Sequence, residues 1–525
     1  MEIKRIFLVI IFMLLSCNHC KLNESENFLN FLGEEITKVS SKRPEPDQRK
    51  FNSEVINNYI TSLKDKFKDD DLFSIFENCF PNTLDTTVEY DELNKDTFII
   101  TGDIEAMWLR DTSFQLLPYL DFMNKDKNLK NMIYSAINRQ KKSILIDAYP
   151  NAFNKENKQS PFSSDETYKK VDGKIVKGMT EKIWERKYEL DSTMSTLFLH
   201  YNVQKITQDY SFIDEDYLEM LQKIIILVEE QSIGTDEEDE SKNGWSYYFQ
   251  RSTSESFDSL HQGRGNPGKT CGLIRSSFRG SDDATLLPFN IPENAFLVSV
   301  FQKTIRVLNS FKKTMRNAKI YRKIDIIIDK LDSISKTVNN SILKHGIIKN
   351  NKESYFAYEV DCYGNTYFMD DSNYPSLISL PFLGYFDELN NSNLYSVWEN
   401  TKKRVLSNNY NPYYFQKKTS IKVKSLNGID EIEINVNGVG SPHTPRHNIW
   451  PLGLIMRGLT SKNELEIIEC LLILKNSALN SGFMHESFSV ENPENFTRTW
   501  FAWANSFFGF FINNVIELYP NIILK

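Results

Sequence analysis

Cysteine is sparse in this chain, and so is anything that would hold a metal beside it. Six cysteines occur in 525 residues. Cys17 and Cys20 close an N-terminal apolar stretch, while Cys79, Cys271, Cys362 and Cys470 are scattered. That spacing lacks the paired short intervals of a zinc site, and neither HExxH nor a histidine cluster occurs. The scattered four allow one or two disulfides in an oxidising compartment, with the pairing open. Positive charge is also in deficit, 62 Lys and Arg against 70 Asp and Glu, a net charge of −8. A basic surface for phosphate is therefore missing, which argues against a nucleic-acid partner. After the N-terminal stretch no run approaches the ~18 apolar residues of a membrane span. No Pro/Gly/Ser-rich linker and no repeat divides the chain, so residues 40–525 are expected to form a single unit rather than the three a length prior suggests.

What the chain does have begins with MEIKRIFLVIIFMLLSCNHC, a basic start, an apolar core and a small or polar exit. Residues 1–20 are expected to be a cleaved secretory signal. The alternative is a lipoprotein signal that anchors the protein through Cys17. The destination is the secretory pathway or the exterior, where sequons at Asn23, Asn339, Asn390 and Asn495 become relevant. Beyond it, YLEMLQKIIILVEE (217–230), NAFLVSVFQKTIRVL (294–308), KIDIIIDKLDSISKTV (323–338) and ELEIIECLLIL (464–474) repeat apolar residues at steps of three and four. That texture predicts many amphipathic helices. Strand signals are confined to 353–365 and to a hairpin over 420–438 turning at Asn427-Gly428. The polar runs 154–177 and 233–243 are expected to be surface insertions.

Between the helices lie islands that crowd acids, amides and aromatics. GDIEAMWLRD (102–111) threads Asp103, Glu105, Arg110 and Asp111 through Ile104, Met107, Trp108 and Leu109. Burying unpaired charge is costly, so this is either a solvated helix or the lining of a polar pocket. If 182–201 is helical, Trp184, Tyr188, Asp191, Ser195 and Phe198 share a face. Asp191 between such groups would hold a proton as a general acid does, although a helix cap or an arginine pair is the blander reading. In FMHESF, Glu486 follows His485, with Arg498 downstream. There the blander reading is a Glu–Arg pair. Two such carboxyl groups suit hydrolysis of a glycosidic bond.

The segments FENCFPNTLDTT (76–87), TGDIEAMWLRD, RGSDDA (279–284), FMDDSNYPSLISLPFLGY (368–385), SPH with IWP, and MHESF with RTWFAWANS closely resemble glycoside hydrolase family 125, the exo-acting α-1,6-mannosidases. The resemblance runs from about Arg43 to the C-terminus. It implies an all-α (α/α)6 barrel with minor β-hairpin insertions, and inverting hydrolysis without cofactor or metal. It implies a mannose-containing glycan as the partner, and a monomer is expected. It assigns Asp191 as general acid and Glu486 as general base. Sugar contacts are expected from Trp108, Arg110 and Asp111, with Asp103 bracing them. RGSDD adds Arg279, Asp282 and Asp283, and MDDSN adds Asp371 and Asn373. His443, Trp450, His485 and Arg498 complete the set. The chain departs from the pattern at Gly280, where proline is expected, and at Ser441, where glycine is. Another glycosidase or a phosphorylase on the same barrel, or a non-catalytic mannan binder, are the competing readings.

Overall fold

The computed structural model describes residues 39–525 apart from 172–173, 239–244, 315–317, 390–391 and 426–427. The signal stretch with Cys17, the sequons at Asn23 and Asn390, and the Asn427 of the expected turn lie outside the described residues. Helices dominate, and their order alternates between two environments. Helices α1 (Asp70–Cys79), α3 (Lys127–Ile146), α5 (Glu215–Gln231), α7 (Ala318–His345), α9 (Ser392–Val405) and α11 (Glu464–Ala478) form an outer set. Helices α2 (Leu109–Leu116), α4 (Leu190–Thr207), α6 (Ile291–Lys312), α8 (Leu380–Leu383), α10 (Pro451–Leu459) and α12 (Ala502–Leu518) form an inner one. Within the inner set, α2 packs on α4, α4 on α6, α6 on α8, α10 on α12, and α12 back on α2.

The chemistry of the two sets differs as their positions require. Several outer helices are started by short polar side chains. Asp69 accepts from the Leu72 amide at 2.8 Å, Asp214 from Tyr217 at 2.8 Å and Asn463 from Leu465 at 3.1 Å, satisfying amides that the helix itself leaves free. Inner helices are buried nearly all round; every residue of α2 is buried. Five of them begin without a side-chain cap, at Trp108, Glu189, Ser379, Trp450 and Phe501, while Asn290 caps α6. Acids in the first turns of two uncapped ones, Asp111 in α2 and Asp191 in α4, stand at the positive ends of the helix dipoles.

Strand content exceeds what the sequence predicts. Met107–Trp108, Phe289–Asn290 and Asn448–Ile449 each join a small three-stranded sheet and run directly into α2, α6 and α10. Segments of two residues carry no readable period of two. The hairpin is longer than expected, pairing Tyr414–Ser425 with Gly428–Val439. The insertion at 154–177 contributes Glu166–Val171 and Lys174–Lys177 to a sheet with Tyr248–Gln250. The four long predicted helices all occur and all run longer, α7 most of all, from Ala318 to His345. The helix expected over 182–201 does not start until Leu190; Ile183–Glu185 is a strand. No described helix is long and apolar enough to cross a membrane. Cys271 and Cys362 form a disulfide, while Cys79 and Cys470 are buried thiols.

Candidate active site

The uncapped starts of the inner helices converge on a small cavity. Trp108, Trp450 and Phe501, the residues that open α2, α10 and α12, supply aromatic wall, and Trp503 adds to it. Asp111, Asp282 and Glu486 are its carboxyl groups, with Arg110, Arg498, His443 and Asn373 beside them. Aromatic faces and charged hydrogen-bonding groups together suit a ligand with both C–H faces and hydroxyls.

Arg110 anchors one side. Its Nη1 donates to Glu189 at 2.7 Å and to Asp191 at 3.0 Å, and the guanidinium lies 5.9 Å from the Trp503 ring centre. Asp191 is fully buried and is not on the cavity wall. Burial raises its carboxyl, against the lowering pull of Arg110. This carboxyl lies behind Arg110 and Gly280, and a general acid has to reach the glycosidic oxygen. A Cβ at Gly280 would come 2.9 Å from the Tyr374 carbonyl oxygen and 3.5 Å from Asp191 Oδ2, so glycine leaves that wall thin.

The RGSDD loop instead presents Asp282. Asp282 has a φ of +68° and its side chain is 29% exposed. The loop is tied at every turn. Arg279 donates to Glu359 at 2.7 Å, and the amides of Leu286 and Leu287 donate to the other Glu359 oxygen at 2.9 and 3.0 Å. Ser281 donates to Asp371 at 2.6 Å, and Lys187 to the Asp282 carbonyl at 2.8 Å. Burial raises the Asp282 carboxyl, but Lys187 and Arg110 outweigh it, leaving a net lowering. Glu189 is driven the other way: burial, with the neighbouring Asp282 and Asp191, raises its carboxyl against the lowering pull of Arg110. Asp111 is raised to about 6, chiefly by burial.

Opposite stands Glu486, 3.8 Å from Arg498 Nη1. Arg498, itself at a φ of +51°, donates from Nε to Asp103 at 2.8 Å. His485 does not line the cavity. Its Nδ1–H donates to the Arg498 carbonyl at 3.1 Å, and its ring stacks on Phe496 at 3.6 Å, so it fixes Arg498. His443 does line the cavity, with Nδ1 2.8 Å from Asp283. Gly102 allows the Asp103 amide to donate to the Trp500 carbonyl at 3.1 Å; a Cβ there would overlap that carbonyl.

Among the residues expected to touch sugar, Trp108, Arg110, Asp111, Asp282, Asn373, His443, Trp450 and Arg498 line the cavity. Asp103, Arg279, Asp283, Asp371 and His485 stand behind it and hold those that do. Glu105 is 81% exposed beside Lys158. Phe501, Trp503, Thr101 and Ser281 were not expected, although TWFAWANS advertises the first two. Glu189 and Lys187 escaped because a helix over 182–201 put Asp191 on its inner face instead. Among the described residues, the grouping with metal-ligand spacing is Cys271, His345 and Cys362, and its two sulfurs are joined to each other.

Comparison with known proteins accords with this geometry. Residues 69–513 match the family of metal-independent α-mannosidases, GH125. The meiotically up-regulated gene 157 protein of Schizosaccharomyces pombe is 37% identical over 497 residues, 92% of this chain and 90% of the relative. A Streptococcus pneumoniae metal-independent α-mannosidase, solved in a non-productive complex with α-1,6-mannobiose, superposes with a TM-score of 0.75 at 31% identity. The match covers 89% of this chain and all of that one. A cavity walled by tryptophans and carboxyl groups, in a chain matched nearly end to end, thus belongs to a glycoside hydrolase of the metal-independent α-mannosidase family GH125.

Proposed function

We propose that this protein is an exo-acting α-1,6-mannosidase that removes terminal mannose with inversion, on an (α/α)6 barrel formed by the alternating helix sets. The observation that carries the reading is one small cavity holding both Asp282 and Glu486. In this reading Glu486 is the general base: it takes a proton from a water that attacks C1. The Asp282 carboxyl, and not Asp191, is the general acid that protonates the departing oxygen. His443 lines the same cavity, and the charges of Asp283, Asp282 and Glu486 favour its proton. Trp108, Trp450 and Trp503 bound the sugar ring, and Asp111, Asn373, Arg110 and Arg498 meet its hydroxyls.

The phosphorylase reading is weaker because the cations on the wall are already spoken for. Arg110 is paired with Glu189 and Asp191, Arg498 with Asp103, and His443 with Asp283. The Cys271–Cys362 disulfide supports an oxidising compartment, in keeping with a secreted or secretory-pathway enzyme.

Proton NMR of α-1,6-mannobiose hydrolysis tests the scheme, with β-mannose expected as the first anomer released. Asp282→Asn and Glu486→Gln are each expected to lower kcat by about 100-fold or more. Release of α-mannose first, or full activity in either variant, overturns it.

A further inference from the structure

We propose that the outer flank of the protein carries a second, non-catalytic saccharide site, which holds a stretch of the glycan away from the point of cleavage. The choice of α-1,6-mannan as its ligand rests on the α-1,6-mannosidase reading; the geometry of the site does not.

The site is a cavity of about 550 Å³ between the hairpin Val88–Asp91/Asp96–Ile99, helix α3 and the loop 208–214 that leads into α5. Its lining shares no residue with the catalytic cavity. Pockets that take small ligands span about 300–1,000 Å³. Lys130, Tyr134, Asn138 and Lys141 recur along α3 at steps of three and four, so one face of that helix forms the wall. Lys141 is the telling member. Its side chain is 3% exposed, and its Nζ donates to Asp214 Oδ2 at 2.5 Å. An ammonium carries three N–H donors, yet among the described residues Asp214 is its one acceptor. Buried donors without acceptors are costly, and the cavity is where further acceptors can enter. The side-chain amides of Asn131 and Asn138 and the Tyr90 hydroxyl line the same space and make no hydrogen bond among the described residues.

Charge decides what fits. Lys95, Lys130 and Lys141 are balanced by Glu92, Asp209 and Asp214. Lys130 lies 3.8 Å from Asp209, to which the Tyr134 hydroxyl donates at 3.1 Å. A phosphate would meet as much negative charge as positive, and an apolar ligand would leave the polar groups unpaired. Donors set beside acceptors suit neighbouring hydroxyls of a neutral sugar, and the Tyr90 and Tyr134 rings suit its C–H faces. The catalytic cavity uses the same combination, with Arg110 and Asp111 beside Trp108. An enzyme that removes one terminal unit at a time has to recapture the chain after each cut, and a second hold on that chain raises the effective concentration of its new end.

The test is affinity electrophoresis in gels that contain soluble α-1,6-mannan, with Glu486→Gln as the protein so that the ligand is not consumed. Retardation relative to a mannan-free gel is expected. Adding Lys95→Ala, Asn131→Ala and Asn138→Ala is expected to raise the mannan concentration needed for it about 10-fold. In the otherwise native enzyme the same three changes are expected to leave kcat/KM on α-1,6-mannobiose unchanged and to lower it about 10-fold on the mannan. No retardation, or equal retardation with and without the three changes, overturns the second site. Failure of the native enzyme to hydrolyse the disaccharide overturns the activity instead, because the electrophoresis needs no turnover. Should the triple change not fold, amide exchange in the Glu486→Gln protein decides: slower exchange over 208–214 in excess mannan supports the site, and an unchanged rate overturns it.

Discussion

At the scale of residues, burial separates groups that face the cavity from groups that stand behind it. Asp191 and Asp282 both belong to acidic motifs, but one is sealed under Arg110 while the other stands on the cavity wall at a φ of +68°. His443 gives this scale its clearest prediction. Burial lowers its affinity for a proton, but the hydrogen bond and charge of Asp283, with Asp282 and Glu486 beyond, raise its pKa to about 9. A raised folded pKa stabilises the fold fully below the unfolded value of about 6.5, and this contribution is lost as pH rises through about 9. The stability difference between native protein and His443→Gln in urea is therefore expected to be largest near pH 6 and to shrink by pH 9.5. A difference that stays constant across that range contradicts the charged pair.

At the scale of elements, the disulfide is the clamp on the loop that carries Asp282. Cys271 precedes the 272–287 segment that carries Asp282, and Cys362 lies just beyond Glu359, which holds Arg279, Leu286 and Leu287. Closing a chain of 91 residues restricts the unfolded state, with typical stabilisation of about 2–4 kcal/mol. Reduction, or the Cys271→Ser/Cys362→Ser double variant, is expected to lower Tm by a few degrees and to speed amide exchange across 272–287. Unchanged exchange there would show that Glu359 suffices. The long outer helices were legible because they repeat apolar residues against solvent, as α5 and α7 do. Of the inner ones α6 was legible too, its second half being partly exposed, whereas a helix buried on every side, such as α2, shows no polar face to set its period. The same limit moved the start of α4: the strand at Ile183–Glu185 places Glu189 before the helix, and the acid on the helix drew attention from the acid ahead of it. Asp282 was legible as a sugar contact from its motif, while its reach into the cavity depends on a loop tied to residues some 80 positions away.

At the scale of the whole molecule, the last residues are joined to the segment just ahead of α1. The Lys68 amide donates to the Ile523 carbonyl and the Lys525 amide to Lys66, both at 2.8 Å, with Phe67 bridged to Leu524. Helix α12 packs on both α1 and α2, so the last long helix closes against the start of both helix sets. We therefore expect one cooperative unit over residues 40–525, with no boundary along which separate domains could part. Ile522 and Ile523 are each 2% exposed, and full burial of such side chains contributes about 1.5–3 kcal/mol apiece. Removing residues 520–525 is expected to destabilise the whole protein by roughly 3–6 kcal/mol on that basis. Tryptophan fluorescence should report this evenly, since Trp108, Trp450 and Trp503 stand at the cavity while Trp398 lies on outer helix α9. In urea, fluorescence and far-ultraviolet circular dichroism should give a single coincident transition that moves as one in the truncated chain. Two transitions, or a shift in only one signal, would mean that the termini close a separate domain rather than the ring itself.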